Sequence, residues 1–169
     1  MKKKNNKGFT LIELLIVVAI IGIIVAIAIP NLLNAIQRAK QKRTMADMRS
    51  AGTAAEAYAV DFNHYPAAAA GNALPSGMSL PTSSFGDPGA AAKFSGKVTP
   101  TYIRVLPLVD GWSSYFLYGV DGTSQNYIIA SNGKDGSKGT FTGVETTNFN
   151  DDIVFADGQF LQYPAGAQR

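Results

Sequence analysis

The chain has no cysteine and a single histidine among its 169 residues. Without cysteine there is no disulfide framework, so any part that lives outside the cytoplasm needs another staple or none. The lone histidine, His64, falls at the end of a helical pattern, and the chain carries no nucleophile elbow, no HExxH pair and no phosphate loop. It reads as a surface or capping residue, and no catalytic residue is assigned. Gly133 to Gly139 is glycine-rich but lacks both the Gly-Lys-Ser/Thr ending and the following helix of a phosphate cradle. Acid is also scarce at the start: nothing acidic precedes Glu13, and Leu14 to Gln37 carries no charge at all.

What stands in that uncharged region is a long apolar run. Phe9 to Ile29 covers 21 residues, and at about 1.5 Å per residue a helix of that length approaches the roughly 30 Å of bilayer hydrocarbon. Lys2, Lys3, Lys4 and Lys7 precede it, which keeps this end cytoplasmic and places the remainder of the chain on the outer face. An ordinary secretory signal has a shorter apolar core and a small-residue cleavage site, whereas Pro30-Asn31-Leu32-Leu33 follows here. Glu13 is the exception within the run. A carboxylate at such a depth costs about 2.5 to 3.5 kcal/mol on insertion scales, so its presence points to a function.

The stretch KGFTLIELLIVVAIIGIIVAIAIPN resembles the class III signal and N-terminal helix of type IV pilins and of the pseudopilins of type II secretion systems. The resemblance implies cleavage by a prepilin peptidase between Gly8 and Phe9, N-methylation of Phe9, and retention of the apolar helix in the mature protein. It further implies that Glu13 neutralises the new amino terminus of Phe9 on a neighbouring subunit. Pairing two charges in hydrocarbon lowers the cost of both. An intrachain pair is the competing account, since Phe9 and Glu13 lie one helical turn apart. Gly22 and Pro30 match the positions between which the family's helix can unwind in filaments, and Pro30 cannot bond to the carbonyl of Ala26, so bending or loosening is expected there.

The basic balance is mainly a topology signal. The formal charge of +3 becomes −1 without the four leader lysines, which gives no argument for nucleic-acid binding. Arg38, Lys40, Lys42, Arg43 and Arg49 cluster just beyond the apolar run, as a solvated helix face, a filament contact or a contact with lipid headgroups. Helical spacing continues through Ile36, Met45, Met48, Ala55, Tyr58, Ala59 and Phe62, with Arg38, Lys42, Arg49 and Glu56 on other faces. Tyr65-Pro66 is the expected stop. The organisation is thus a cleaved leader over 1–8, a transmembrane and filament-core helix over 9–36, an amphipathic helix over 37–65 and a head over 66–169.

Within the head, 67–101 reads as a variable loop rich in Ala, Gly, Pro and Ser, with a short helical turn near Ala90 to Phe94. Apolar runs at Tyr102–Leu106, Ser114–Tyr118, Tyr127–Ala130, Ile153–Ala156 and Gln159–Gln162 read as strands. Asp157-Gly158 is the pair a type I′ hairpin demands, so the last two runs should pair antiparallel. The fold class is α+β, a pilin fold with a long N-terminal helix on a small antiparallel sheet.

Asp110-Gly111-Trp112, then Asn126 to Gly136, then Asp151-Asp152-Ile153-Val154 resemble the major, G-type pseudopilin of type II secretion. That resemblance implies a calcium ion held by Asp135 and by Asp151 or Asp152, in place of the missing disulfide; calcium takes six to eight oxygens. The stretch from Gly136 to Asn150 is longer than the usual family loop and contains Phe141, Val144 and Phe149. Asp110, Asp121 and Asp157, each before glycine, read as turn residues. The implied function is a pseudopilus subunit: a homopolymer built from the inner membrane, with the prepilin peptidase, an inner-membrane assembly platform and minor pseudopilins as partners. A major or minor type IV pilin is the alternative. A singly anchored, non-polymerising binding domain is a third reading, and it leaves Glu13 unexplained.

Overall fold

The computed structural model describes residues 8–67, 88–139 and 141–166. Its elements are α1 (Leu11–Phe62), α2 (Pro88–Val98), β1 (Leu117–Val120), β2 (Tyr127–Ser131), β3 (Glu145–Thr146), β4 (Ile153–Ala156) and β5 (Gln159–Pro164). The chain divides after Arg38 into two compact units.

The first unit contains the apolar part of α1. Its side chains are exposed all round, from Leu11 at 81 % to Ile29 at 52 %, and an 18-residue window reaches a mean hydropathy of 3.2. A helix apolar on every face belongs in lipid or inside an assembly. By length and composition it can cross a membrane once. α1 remains helical through Gly22 and Pro30, so the loosening that the missing Pro30 amide permits does not interrupt it in the free chain.

The second unit has its own core. Gln41, Thr44, Met45, Met48, Ala51, Gly52, Ala54, Ala55 and Tyr58 are the buried residues of α1, a stripe at three- and four-residue spacing. Ile36 and Phe62, expected on that stripe, are exposed, and Ala59 is only half-buried. The centre of the stripe is small because the sheet comes close. A Cβ on Gly52 would lie 2.3 Å from Cε1 of Phe155 and 2.8 Å from the Tyr127 hydroxyl. Glu56, expected to point away from the head, instead accepts a hydrogen bond from that hydroxyl at 2.7 Å. Burial first, and then this bond, push the Tyr127 phenol above its ordinary range.

The helix stops three residues before the expected Tyr65-Pro66. Asn63 adopts φ 57° and its amide bonds to the Ala59 carbonyl at 2.8 Å, an αL cap, which asparagine tolerates. Tyr65 then donates to the Ser124 carbonyl at 2.8 Å.

The five strands run in the order β1-β2-β4-β5-β3. β1–β2, β2–β4 and β4–β5 pair antiparallel, while β3 pairs parallel to β5, so the expected all-antiparallel sheet carries one parallel edge. One face packs on α1 through Tyr118, Tyr127, Ile129, Ile153, Phe155 and Phe160. The other holds Leu117, Ile128, Ala130, Val154 and Ala156, with Phe141 and Leu161 against it. The β4–β5 hairpin turns at Asp157 (φ 46°) and Gly158 (φ 83°), the two positive φ values of a type I′ turn. Tyr102–Leu106 is not a strand, because the amides of Tyr102 and Ile103 turn back to the Val98 carbonyl at the end of α2. The expected helical turn near Ala90–Phe94 is the full helix α2, and the expected strand at Ser114–Tyr118 begins at Leu117. Of the loop assigned to 67–101, residues 68–87 lie outside the described residues, as does most of the 1–8 leader.

Candidate functional site

Two places bring the sequence-predicted residues into view. The first is the start of α1. The Thr10 amide and hydroxyl both donate to Oε2 of Glu13, at 2.9 and 2.6 Å, and the Glu13 amide donates to the Thr10 hydroxyl at 3.3 Å. This is a capping box, in which an N-cap threonine and a glutamate three residues on satisfy each other's orphan donors. The Thr-x-x-Glu spacing that signals it is present in the sequence, yet Glu13 was expected to pair only with Phe9. Phe9 itself is 81 % exposed.

The second place is the long loop between β2 and β4. Its two ends are fastened first. Asp110, 2 % exposed, accepts from the Trp112 and Ser114 amides at 2.8 and 2.9 Å and from the Ser131 hydroxyl at 2.6 Å. The turn role expected of Asp110 is therefore a buried one, and it anchors the end of β2. Gly111 beside it lies so near α1 that a Cβ would sit 2.5 Å from the Lys40 carbonyl oxygen. At the loop's mouth Gly133 adopts φ 65°, where a Cβ would lie 2.6 and 2.7 Å from the carbonyl oxygens of Asn150 and Asp151. Only glycine allows that approach. The Lys134 amide donates to the Phe149 carbonyl at 2.9 Å, and the loop is closed.

That closure brings Asp135, Asp151 and Asp152 to the lining of one open cleft of about 350 Å³, together with Asn148 and Asn150. Asp135 accepts the Ser137 amide at 2.9 Å. Asp152 is 1 % exposed. Its Oδ2 accepts the Gly139 amide at 2.8 Å, while Oδ1 is buried with no partner among the described residues. Burial pushes this carboxyl up to about 6; the Gly139 bond opposes the rise, and the negative charges of Asp135 and Asp151 add to it. The three aspartates share the cleft without closing to a metal-holding cluster: among the described residues no group of three acidic or histidine side chains lies that close. The lining offers hard carboxylate, amide and hydroxyl oxygens beside the Lys138 ammonium, whose charge also opposes the rise at Asp152, and Asp152 Oδ1 is a buried acceptor with no hydrogen-bond partner among the described residues.

Gln162 was not singled out from the sequence, yet it also lines the cleft. A glutamine within a strand pattern carries no signal of its own. His64 stands exposed with Nδ1 3.0 Å from the Tyr65 carbonyl, in the surface role expected of it.

An apolar helix opening on a Thr-x-x-Glu cap and leading into an amphipathic half packed on a small sheet defines a pilin-like subunit. The model of the prokaryotic N-terminal methylation motif matches residues 3–29, and that of type II secretion system protein G matches residues 31–148. The chain belongs to the protein G family of type II secretion systems. It is 31 % identical over 136 residues to the type II secretion system core protein G of Escherichia coli K12, covering 80 % of this chain and 87 % of that one. With the core protein G of Pseudomonas aeruginosa it shares 32 % over 139 residues, 82 % and 91 % of the two chains. A type IV wide pilus major component of Thermus thermophilus is 52 % identical over 62 residues, 37 % of this chain and 47 % of the other. Among solved structures, the major pseudopilin of the enterohaemorrhagic Escherichia coli type 2 secretion system matches with 26 % identity and a TM-score of 0.42, over 74 % of this chain and 93 % of that one.

Proposed function

We propose that the chain is a structural subunit of a type II secretion pseudopilus. The observation that supports this best is the joint match of residues 3–29 to the methylation motif and of residues 31–148 to protein G. In this reading the peptidase cuts between Gly8 and Phe9, Phe9 is methylated, and the subunit waits in the inner membrane with its head in the periplasm. Assembly from an inner-membrane platform, with minor pseudopilins, extracts the apolar helices from lipid into a filament that drives protein export.

Glu13 supplies the charge that guides this step. Both Thr10 bonds use Oε2, which leaves Oε1 for the cationic amino terminus of Phe9 on a neighbour. A free α-amino group has a reference pKa of about 7.7 to 8.0 and is mostly charged at neutral pH. The capping box gives the carboxylate a second duty within its own chain, so replacement by glutamine is the informative change: it keeps a cap-competent side chain and removes the charge.

The cleft is read as a calcium site, with Asp135, Asp151 and Asp152 as its carboxylate ligands. The unpartnered Asp152 Oδ1 and the carboxylate and amide oxygens of the lining support this, and an ion there shares the cleft with the Lys138 ammonium. A bound ion would cross-link the two ends of the loop and neutralise adjacent carboxylates. The type IV pilin alternative draws on the Thermus similarity, which is confined to 62 residues; the protein G match extends into the head, as far as residue 148.

Intact mass of membrane-purified protein tests the processing step: loss of Met1–Gly8 and gain of one methyl group is expected. A retained leader, or a cut beyond Ile29, overturns it. Imaging of cells that express the chain with a secretin and secretion ATPase, against cells with a retraction ATPase, separates pseudopilus from pilus.

A further inference from the structure

β5 buries Phe160, Gln162 and Pro164 in alternation with more exposed neighbours. An amide at such a position costs about 1 to 3 kcal/mol if its hydrogen bonds go unmade. Gln162, only 2 % exposed, makes them to both arms of the cleft. Its Oε1 accepts from the Thr142 amide at 2.8 Å, the Thr142 hydroxyl at 3.1 Å and the Gly143 amide at 3.4 Å. Its Nε2 donates to the Asp152 carbonyl at 2.9 Å. Backbone amides only donate and a backbone carbonyl only accepts, so these partners dictate which way the side-chain amide faces.

The strand is shaped to deliver this residue. Phe155 pairs with Phe160 but Val154 pairs with Gln162, a register shift that leaves Leu161 as an extra residue in β5. Such a bulge re-aims a side chain. Gln162 lies beyond the residues that the protein G model matches, which end at 148.

We infer that Gln162 is a positioning residue of the cation cleft, clamping Thr142 and Gly143 to Asp152 so that the Asp152 carboxylate is held in place before an ion arrives. This rests on the reading of the cleft as a calcium site. The loop from Gly136 to Asn150 would otherwise be ordered at the expense of binding, and ordering it during folding removes that cost from the binding step. The Gly139 amide donates to Asp152 Oδ2 at 2.8 Å, which holds one carboxylate oxygen, while Oδ1 is buried with no hydrogen-bond partner among the described residues. Hydrogen-bonded supports behind metal ligands typically contribute about 10- to 100-fold in affinity.

The test uses the full chain in detergent, with Gln162→Leu and Gln162→Glu. In calcium-free wild type, exchange of the Thr142 and Gly143 amides is expected to be slow. Gln162→Leu should raise it at least tenfold while Ile128–Ala130 in the same sheet stay protected, and Gln162→Glu, which keeps the acceptor for the 142–143 amides, should retain the protection. Calcium titration by calorimetry should show at least tenfold weaker binding for Gln162→Leu. Unchanged exchange or unchanged calcium affinity in that variant overturns the clamp. If Gln162→Leu loosens the whole sheet, the glutamate variant decides, because it keeps the acceptor for the Thr142 and Gly143 amides and loses the donor to the Asp152 carbonyl: protection kept at Thr142 and Gly143 but lost at the Gly139 amide supports the clamp, and an unchanged Gly139 amide refutes it. Absence of calcium binding by wild type sinks the calcium reading and with it Gln162's part in it, and the exchange data then stand as a separate account of the loop.

Discussion

Between Leu11 and Ile36 the apolar side chains of α1 stand in the open, Ile12 and Ile27 at 65 %, whereas Met48, Ala51 and Ala55 further along the same element are fully covered. Both segments are helical, so backbone propensity does not distinguish them. They differ in whether the chain supplies its own partner. After Arg38 it does, in the form of a sheet whose aromatic residues close on a stripe of small ones. Before Arg38 it does not, and burial there must come from lipid or from other copies, since most helical stability in proteins comes from packing an apolar face. One part is built to fold and the other to be transferred between environments.

That contrast can be broken at either end. The largest effect is expected from Glu13→Gln, which should abolish filaments, seen by electron microscopy of cells with the assembly machinery, while leaving the melting of the head unchanged. Normal filament yield would reduce Glu13 to a helix cap. Next, one substitution made twice in α1 should give opposite results. Gly52→Ala should lower the stability of the head by about 1 to 3 kcal/mol in urea unfolding, because the added methyl meets Phe155 and Tyr127. Gly22→Ala has nothing within 4 Å to meet and should leave head stability untouched. Equal outcomes would dissolve the distinction between the two halves.

Calcium sharpens the comparison from the head's side. A ligand that binds only the folded state adds about 2.7 kcal/mol at a hundred times its Kd. Thermal melts with calcium and with a chelator should differ accordingly, and Asp135→Ala should erase the difference. The smallest expected effect is a pH dependence. Asp121 is held down to about 2, first by the Thr123 hydroxyl; burial opposes this, and the bonds from Asn126 and Gln125 add to the lowering. Its folded value lies below the ordinary 3.8, so its contribution is complete above about pH 4 and is lost as pH falls from there toward 2. At an exposed turn this amounts to under about 1 kcal/mol. Asp121→Asn should flatten that part of the acid unfolding curve.

Periodicity and local chemistry carried much of the fold. The apolar run and its lysine flank, the stripe through Met45, Met48, Ala55 and Tyr58, the strand Ile153–Ala156 and the Asp157-Gly158 turn were all legible, because each depends on residues near one another in the chain. The Thr10–Glu13 cap was equally local, but the reading of Glu13 as an intersubunit charge overshadowed it. Tyr102–Leu106 misled because an apolar run of that length has no period of its own to separate a strand from packed loop.

What the sequence determined by itself is the start of the chain: one apolar span, the lysines that precede it, and a carboxylate one turn beyond Phe9, all set by composition and spacing along a single helix. What only the tertiary structure decided is the cleft. Asp135, Asp152 and Gln162 are far apart in sequence, and they meet because Gly133 admits a close backbone approach, Asp110 anchors β2 and a bulge in β5 turns an amide inward. Those are consequences of strand register and of which polar groups found partners on burial, and register is settled when sheet faces pack rather than residue by residue.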